Sequence, residues 1–190
     1  MKALIIEREK LKHNILAIKK YADKTEKNDN GENLKIIAVV KSNGYGLGII
    51  EYTQFLIDNG IDFFAVSTLE EALKLREAGI KQKILMLSST SIKEDVRKLI
   101  QNNIVITIGS IQSAKVANEI GVELNKKVKV HLKIDTGFGR YGFIYNKMDE
   151  LIDTLKELKN IEIEGTYSHF SIAFYKKDEY TKLQFKRFID

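Results

Sequence analysis

One repeat constrains this chain more than any other feature: six short apolar runs, each followed by an amphipathic stretch. The runs are IIAVVK from Ile36, DFFAVS from Asp62, ILMLSS from Ile84, IVITIG from Ile104, VKVHLKID from Val128 and IEIEGTYSHF from Ile161. Their starts lie 20 to 33 residues apart, the spacing of strand–helix units. Most lack clean alternation, as expected of parallel strands covered on both faces. VKVHLKID does alternate, and Lys133 and Asp135 are expected to share a face opposite His131. Right-handed crossovers turn such a chain into either an open doubly wound sheet or a (β/α)8 barrel. Typical barrels need about 250 residues and eight strands. The 190 residues here read as an open six-stranded sheet or as a barrel cut short, and periodicity leaves both open.

The intervening stretches carry helix signals. Leu11, Ile15, Ile18 and Ala22 give an opening helix one apolar stripe. Thr68 with Glu71 has capping-box spacing before Leu69, Ala72, Leu73 and Arg76, and Gly79 marks a stop. Ser91 with Glu94 repeats the pattern before Val96, Leu99 and Ile100. A helix from about Ser110 is expected to end at Gly121, and DEYTKLQFKRFID forms the last one. KTEKNDNGEN, Lys24 to Asn33, reads as a polar loop.

Composition narrows the class. The chain is 44% hydrophobic and 30% charged, ordinary for a globular protein, and has no cysteine, which excludes disulfides and thiolate metal sites. No apolar run reaches the roughly 20 residues that span a bilayer, and MKALIIEREKLKHN turns charged too early for a signal peptide. A cytoplasmic protein with no membrane partner is expected. The net charge of +5 comes from lysines interleaved with glutamates, as in EEALKLREAG, which is a solvated helix face and not a nucleic-acid stripe.

In either architecture ligands bind at the C-terminal ends of the strands. Lys41 stands there, followed by the slim loop SNGYGLG. It reads either as a lysine snorkelling into solvent or as an amine against apolar walls, where burial favours the neutral, nucleophilic form. Tyr45 lies four residues on, placed to bond a phosphate or to cap the loop. HLKIDTGFGRYGF, His131 to Phe143, offers Lys133 and Asp135, as a structural ion pair, and Arg140 as a fork for a carboxylate or phosphate. YSHF places His169 at the end of the sixth run, as a hydrogen-bonded residue or a ligand. The loop SNGYGLG lacks GxGxxG spacing, and no GxxxxGK[ST], GxSxG elbow or two-histidine metal spacing occurs in the sequence.

Together these segments resemble the N-terminal barrel of alanine racemases, the fold-type III pyridoxal phosphate enzymes. AVVKSNGYGLG is similar to the family signature VKANAYGHG, and HLKIDTGFGRYGF to HLKIDTGMGRLGF. IEIEGTYSHFSIAF resembles the later segment ending THFA, EREKLKHNILAIKK the opening helix, and STLEEALKLREAGIKQKILML the second strand–helix unit. The likeness runs through nearly the whole chain, in family order. It implies a (β/α)8 barrel ending after about six units, with pyridoxal phosphate as cofactor and L- and D-alanine as substrates. Lys41 would hold the cofactor as an aldimine, then act as a base on one face of a Cα carbanion. Tyr45 would bond the phosphate. Arg140 would bond the phenolic oxygen and the substrate carboxylate. Lys133, often carbamylated in the family, would position Arg140, and His169 would lie beneath the cofactor ring.

Leu47, Gly44 and Phe138 depart from the histidine, alanine and methionine usual at these places. The resemblance further implies that residues 1–190 are an incomplete N-terminal domain without the C-terminal β-domain, and by themselves inactive. The full-length enzyme would be a cytoplasmic homodimer making D-alanine, a peptidoglycan precursor, and the shorter chain would self-associate through open strand edges. Two alternatives remain: another fold-type III racemase or decarboxylase, or a pyridoxal phosphate-binding module with no reaction of its own.

Overall fold

The computed structural model describes residues 5–24, 34–175 and 179–190. The polar stretch expected as a loop at Lys24–Asn33 lies, beyond Lys24, outside the described residues. Helix α1 (Arg8–Lys24) precedes strand β1 (Ile37–Val39), which leads into a five-residue turn, α2 (Lys41–Tyr45), and helix α3 (Ile49–Asp58). Units β2 (Phe63–Val66) with α4 (Leu69–Glu77), β3 (Lys83–Met86) with α5 (Lys93–Gln101), and β4 (Val105–Ile108) with α6 (Ile111–Glu123) follow. Then come β5 (Val128–Asp135), a short β6 (Phe143–Ile144), α7 (Asp149–Glu157), β7 (Ile161–Tyr167) and α8 (Glu179–Ile189).

The main strands pair in parallel in the order β1, β2, β3, β4, β5, β7, while β6 pairs only with the last two residues of β5. This is the curved, sequentially ordered sheet of a (β/α)8 barrel, with six strand–helix units present. Alternate strand residues feed two different cores, which is why the apolar runs alternate so poorly. Val40, Phe64, Val66, Ile84, Met86, Ile106, Ile108, Val130 and Leu132 pack outward under the helices. Ala65, Leu85 and Val105 face inward with Phe63, Leu87 and Tyr167.

Most helix signals act as expected. Thr68 and Glu71 form a capping box on α4, and Ser110 caps α6 with Ser113 as its reciprocal partner. Three expectations change. The capping box at Ser91 does not form: Ile92 occupies the cap without a side-chain bond, and its N–H donates to Thr90 Oγ1 instead. Gly121 does not stop α6, which runs on to Glu123; a Cβ there would meet Val128 Cγ2 at 2.7 Å, so close packing demands glycine. In α1, Ile15 is buried and Leu11 and Ala22 are half-buried, but Ile18 faces solvent.

Strand β5 corrects a further reading. His131, Lys133 and Asp135 are all odd positions and lie on the inner side, while Val130, Leu132 and Ile134 join the outer core. The register against β7 slips between Val130 and His131, setting His131 opposite Gly165 and Lys133 opposite Tyr167.

Candidate active site

The C-terminal strand ends converge on a cavity of about 570 Å³. Lys41 and Tyr45 reach it from the end of β1, Arg140 and Tyr141 from the loop after β5, and Ser168 and His169 from the end of β7. Ile37, Val39, Ala65, Leu85 and Leu87 supply apolar walls, and none of the lining residues is acidic. Four of the five site residues expected from sequence therefore share one space. Lys133 lies behind it.

Lys41 is half-buried and in phase with Ile37 and Val39, which point into the same space. After it the backbone turns left-handed: Ser42, Asn43, Gly44 and Tyr45 have φ of 53, 53, 64 and 54°. Each non-glycine residue in that region costs roughly 1–2 kcal/mol. The turn is held by Gly44 N–H to Val40 O (2.9 Å), Gly48 N–H to Asn43 O (3.0 Å) and Ile49 N–H to Asn43 Oδ1 (3.1 Å). The strained conformation brings Tyr45, largely exposed, to the cavity rim.

Lys133 is 2% exposed, and its amine donates to the Ile134 carbonyl at 2.8 Å, with the rings of Tyr141 and Tyr167 at 5.6 and 5.8 Å. The structural ion pair with Asp135 does not form. Asp135 instead accepts from the N–H groups of Gly137 (2.9 Å) and Gly139 (3.0 Å), shaping the loop that presents Arg140. Burial alone would raise the Asp135 pKa, but these backbone bonds outweigh it and hold it below the usual range. Burial pushes the Lys133 amine down from its ordinary value, and Arg140 adds to this against the attraction of Asp135.

Arg140 lies over the Phe138 ring at 4.7 Å, and the edge of that ring meets His169 at 4.9 Å. Phe138 thus contacts both the arginine and the histidine. Partial burial and then the cations Arg140, Lys133 and Lys41 lower the His169 pKa, which favours neutral imidazole.

Two groups of supporting residues escaped the sequence reading. Tyr141 and Tyr167 hydroxyls meet at 3.2 Å, both donate to the Leu87 carbonyl, and Tyr167 also bonds Thr107 Oγ1 at 3.0 Å. Gln184, fully buried on α8, donates to His169 O (3.1 Å) and Thr136 Oγ1 (3.3 Å) and accepts from Ser171 N–H (3.0 Å). Tyr180 and Arg187 bond the carbonyls of Gly137 and Thr136 from the same helix. The available signal was the i, i+4, i+7 spacing of Tyr180, Gln184 and Arg187, one polar face of α8.

The residues fit pyridoxal phosphate. An amine at the mouth, a second cation, a tyrosine at the rim and apolar walls without carboxylates suit an anionic aromatic aldehyde.

The family described as "Alanine racemase, N-terminal domain" matches residues 6–190. Alanine racemase of Methanococcus maripaludis is 40% identical over 155 residues, covering 81% of this chain and 41% of that protein. The Carboxydothermus hydrogenoformans alanine racemase is 39% identical over 180 residues, 95% of this chain and 46% of the relative. The chain thus spans less than half the length of these relatives. Among solved structures, alanine racemase of Clostridium difficile has a TM-score of 0.80 at 32% identity, covering 94% of this chain and 45% of that one. A histidine racemase from Leuconostoc mesenteroides has a TM-score of 0.82 at 26% identity, covering 95% and 46%.

Proposed function

The chain belongs to the alanine racemase family, whose N-terminal domain it matches over residues 6–190, and from that premise we propose that it is the pyridoxal phosphate-binding barrel portion of an enzyme interconverting L- and D-alanine. The observation that carries this reading is the convergence of Lys41, Tyr45, Arg140 and His169 on one cavity without acidic lining. Pyridoxal phosphate, when bound, supplies a conjugated ring that spreads the negative charge developing at the substrate Cα. The protein's residues then orient the substrate and move protons. Lys41 binds the cofactor and exchanges a proton at one face of Cα. Tyr45 bonds the phosphate from the rim. Arg140 offers its planar fork to the substrate carboxylate and the cofactor's phenolic oxygen. His169, kept toward the neutral form, would add no positive charge beside the bound group.

Lys133 takes carbon dioxide onto its amine in this reading, losing one proton and becoming a carbamate that faces Arg140. The neutral amine is the reacting form, and burial of Lys133 favours it. A second reading is a family racemase acting on a larger amino acid. It is favoured by the likeness to the histidine racemase and by a serine-lined cleft of about 320 Å³ that shares Tyr141 and Ser88 with the main cavity.

The test has two parts. Pyridoxal phosphate followed by borohydride should leave a pyridoxyl group on the Lys41 peptide; folded protein that takes no label there refutes the reading. The full-length gene product is then assayed with alanine, serine, lysine, ornithine and histidine. Alanine turnover identifies the first reading, and a larger substrate the second. Label without turnover of any points to a binding module.

The 190-residue chain by itself is expected to take the label yet leave L-alanine unconverted. Among the described residues Lys41 is the one amine lining the cavity, and racemisation needs proton exchange at both faces of Cα. D-alanine produced by the purified chain would overturn this expectation.

A further inference from the structure

Glu71 belongs to α4, where the Thr68–Glu71 capping box accounts for its presence. Its carboxylate does more than close that box. Oε2 accepts from the N–H groups of Ser67 (2.9 Å) and Thr68 (3.4 Å), while Oε1 accepts from the N–H of Ser42 at 2.5 Å. Ser42 is 29 residues away in sequence and directly follows Lys41. One side chain therefore ties the end of β1 to the end of β2.

Ser42 opens the left-handed turn, and the turn's own backbone bonds begin only at Gly44 N–H to Val40 O. The Ser42 N–H thus resembles the first donors of any helix, which lack a partner inside their own turn. Glu71 supplies that partner as an anion, and hydrogen bonds to charged groups are roughly twice as strong as neutral ones. On the other side of Lys41, Val40 N–H donates to Ala65 O at 2.8 Å. Lys41 is therefore fixed on both flanks to the β2 arm: by a ladder bond before it and by a carboxylate bond after it. The peptide plane joining Lys41 to Ser42 sets the direction in which the lysine side chain leaves the backbone.

We infer that Glu71 is a positioning residue for Lys41, holding the strained turn that aims the amine into the cavity, and that capping α4 is the lesser of its two roles. This rests on the reading of Lys41 as the cofactor-binding amine. Three variants of the full-length protein separate the roles. Thr68→Ala removes the cap hydroxyl and leaves the Glu71 carboxylate in place. Glu71→Ala keeps the Thr68 hydroxyl cap but removes the carboxylate, and with it the bonds to Ser67, Thr68 and Ser42. Glu71→Gln keeps one acceptor oxygen and carries the test if Glu71→Ala does not fold.

Two rates are measured: hydrogen exchange of the amides in residues 41–46, and borohydride-trapped pyridoxyl labelling of Lys41. Thr68→Ala should leave both within about twofold of the parent. Glu71→Ala should speed exchange and slow labelling by about tenfold or more, a difference of about 1.4 kcal/mol, with Glu71→Gln between. Equal behaviour of Thr68→Ala and Glu71→Ala overturns the inference. If the parent protein takes no label at Lys41, the functional reading fails, and the exchange rates still decide whether Glu71 holds the turn.

Discussion

Lys41→Ala in the full-length protein is expected to abolish pyridoxyl labelling and to lower kcat/KM for racemisation by on the order of 10⁴-fold or more, the scale of removing a group that serves both as attachment point and as base. The fold should survive, because Lys41 is half-buried at a strand end and the outer core beneath it is built from Val40, Phe64 and their neighbours. Among the described residues no other lysine lines the cavity. Lys133 is enclosed, with its amine donated to the Ile134 carbonyl and covered by two tyrosine rings.

Lys41→Arg separates charge from nucleophilicity. It keeps a cation at the mouth of the cavity, but a guanidinium stays protonated and neither condenses with an aldehyde nor accepts a proton at neutral pH. Both variants should therefore be inactive. Small primary amines should partly restore turnover to Lys41→Ala, where the side-chain space is open, and not to Lys41→Arg. A Lys41→Ala enzyme retaining a tenth of the parent activity would return Lys41 to the status of a surface lysine.

How far such a site is legible in sequence depends on how local its causes are. The strands were legible because apolar runs reflect two covered faces, Lys41 and His169 because they stand where those runs end, and Arg140 because it is the single arginine of the glycine-bearing turn after the fifth run. The face assigned to His131 was wrong for a simple reason: positions 131, 133 and 135 differ by two, and a strand repeats every two residues. The missing ion pair is less local. Asp135 finds better partners in the N–H groups of its own loop, which the run DTGFG makes available only once it is folded.

The left-handed turn was not legible either. Asn43 and the glycines permit it, but Ser42 and Tyr45 do not ask for it. What stabilises it comes partly from Glu71, on the next strand–helix unit. Gln184 is similar: it serves loops 15 and 48 residues earlier, and nothing beside it in the sequence marks it as buried.

Arg76→Ala should be strongly destabilising although it lies away from the site, by about 3 kcal/mol. Arg76 was read only as part of the α4 helical pattern. In the structure its guanidinium donates to four carbonyls: Ile80 O (2.7 Å), Gln82 O (2.9 Å), Asn102 O (3.0 Å) and Asn103 O (3.0 Å). These belong to the loops that enter β3 and β4, at the end of the barrel opposite Lys41. Hydrogen bonds to a charged group contribute roughly 1.5–3 kcal/mol each, but the half-exposed carbonyls can turn to water when the arginine is lost, so the four do not sum.

For a chain of this size, about 3 kcal/mol corresponds to a fall in Tm of roughly 6–12 °C. Arg76→Lys should recover only part of it, because one ammonium cannot reach four acceptors fixed in the plane of a fork. Arg76→Met keeps an unbranched apolar stem, so its deficit isolates the hydrogen bonds from the packing. Labelling of Lys41 should remain at the parent rate in all three variants at temperatures where they are folded. A Tm change below about 2 °C in Arg76→Ala would show that water replaces the fork at little cost, and slowed labelling would show that the two ends of the barrel are coupled.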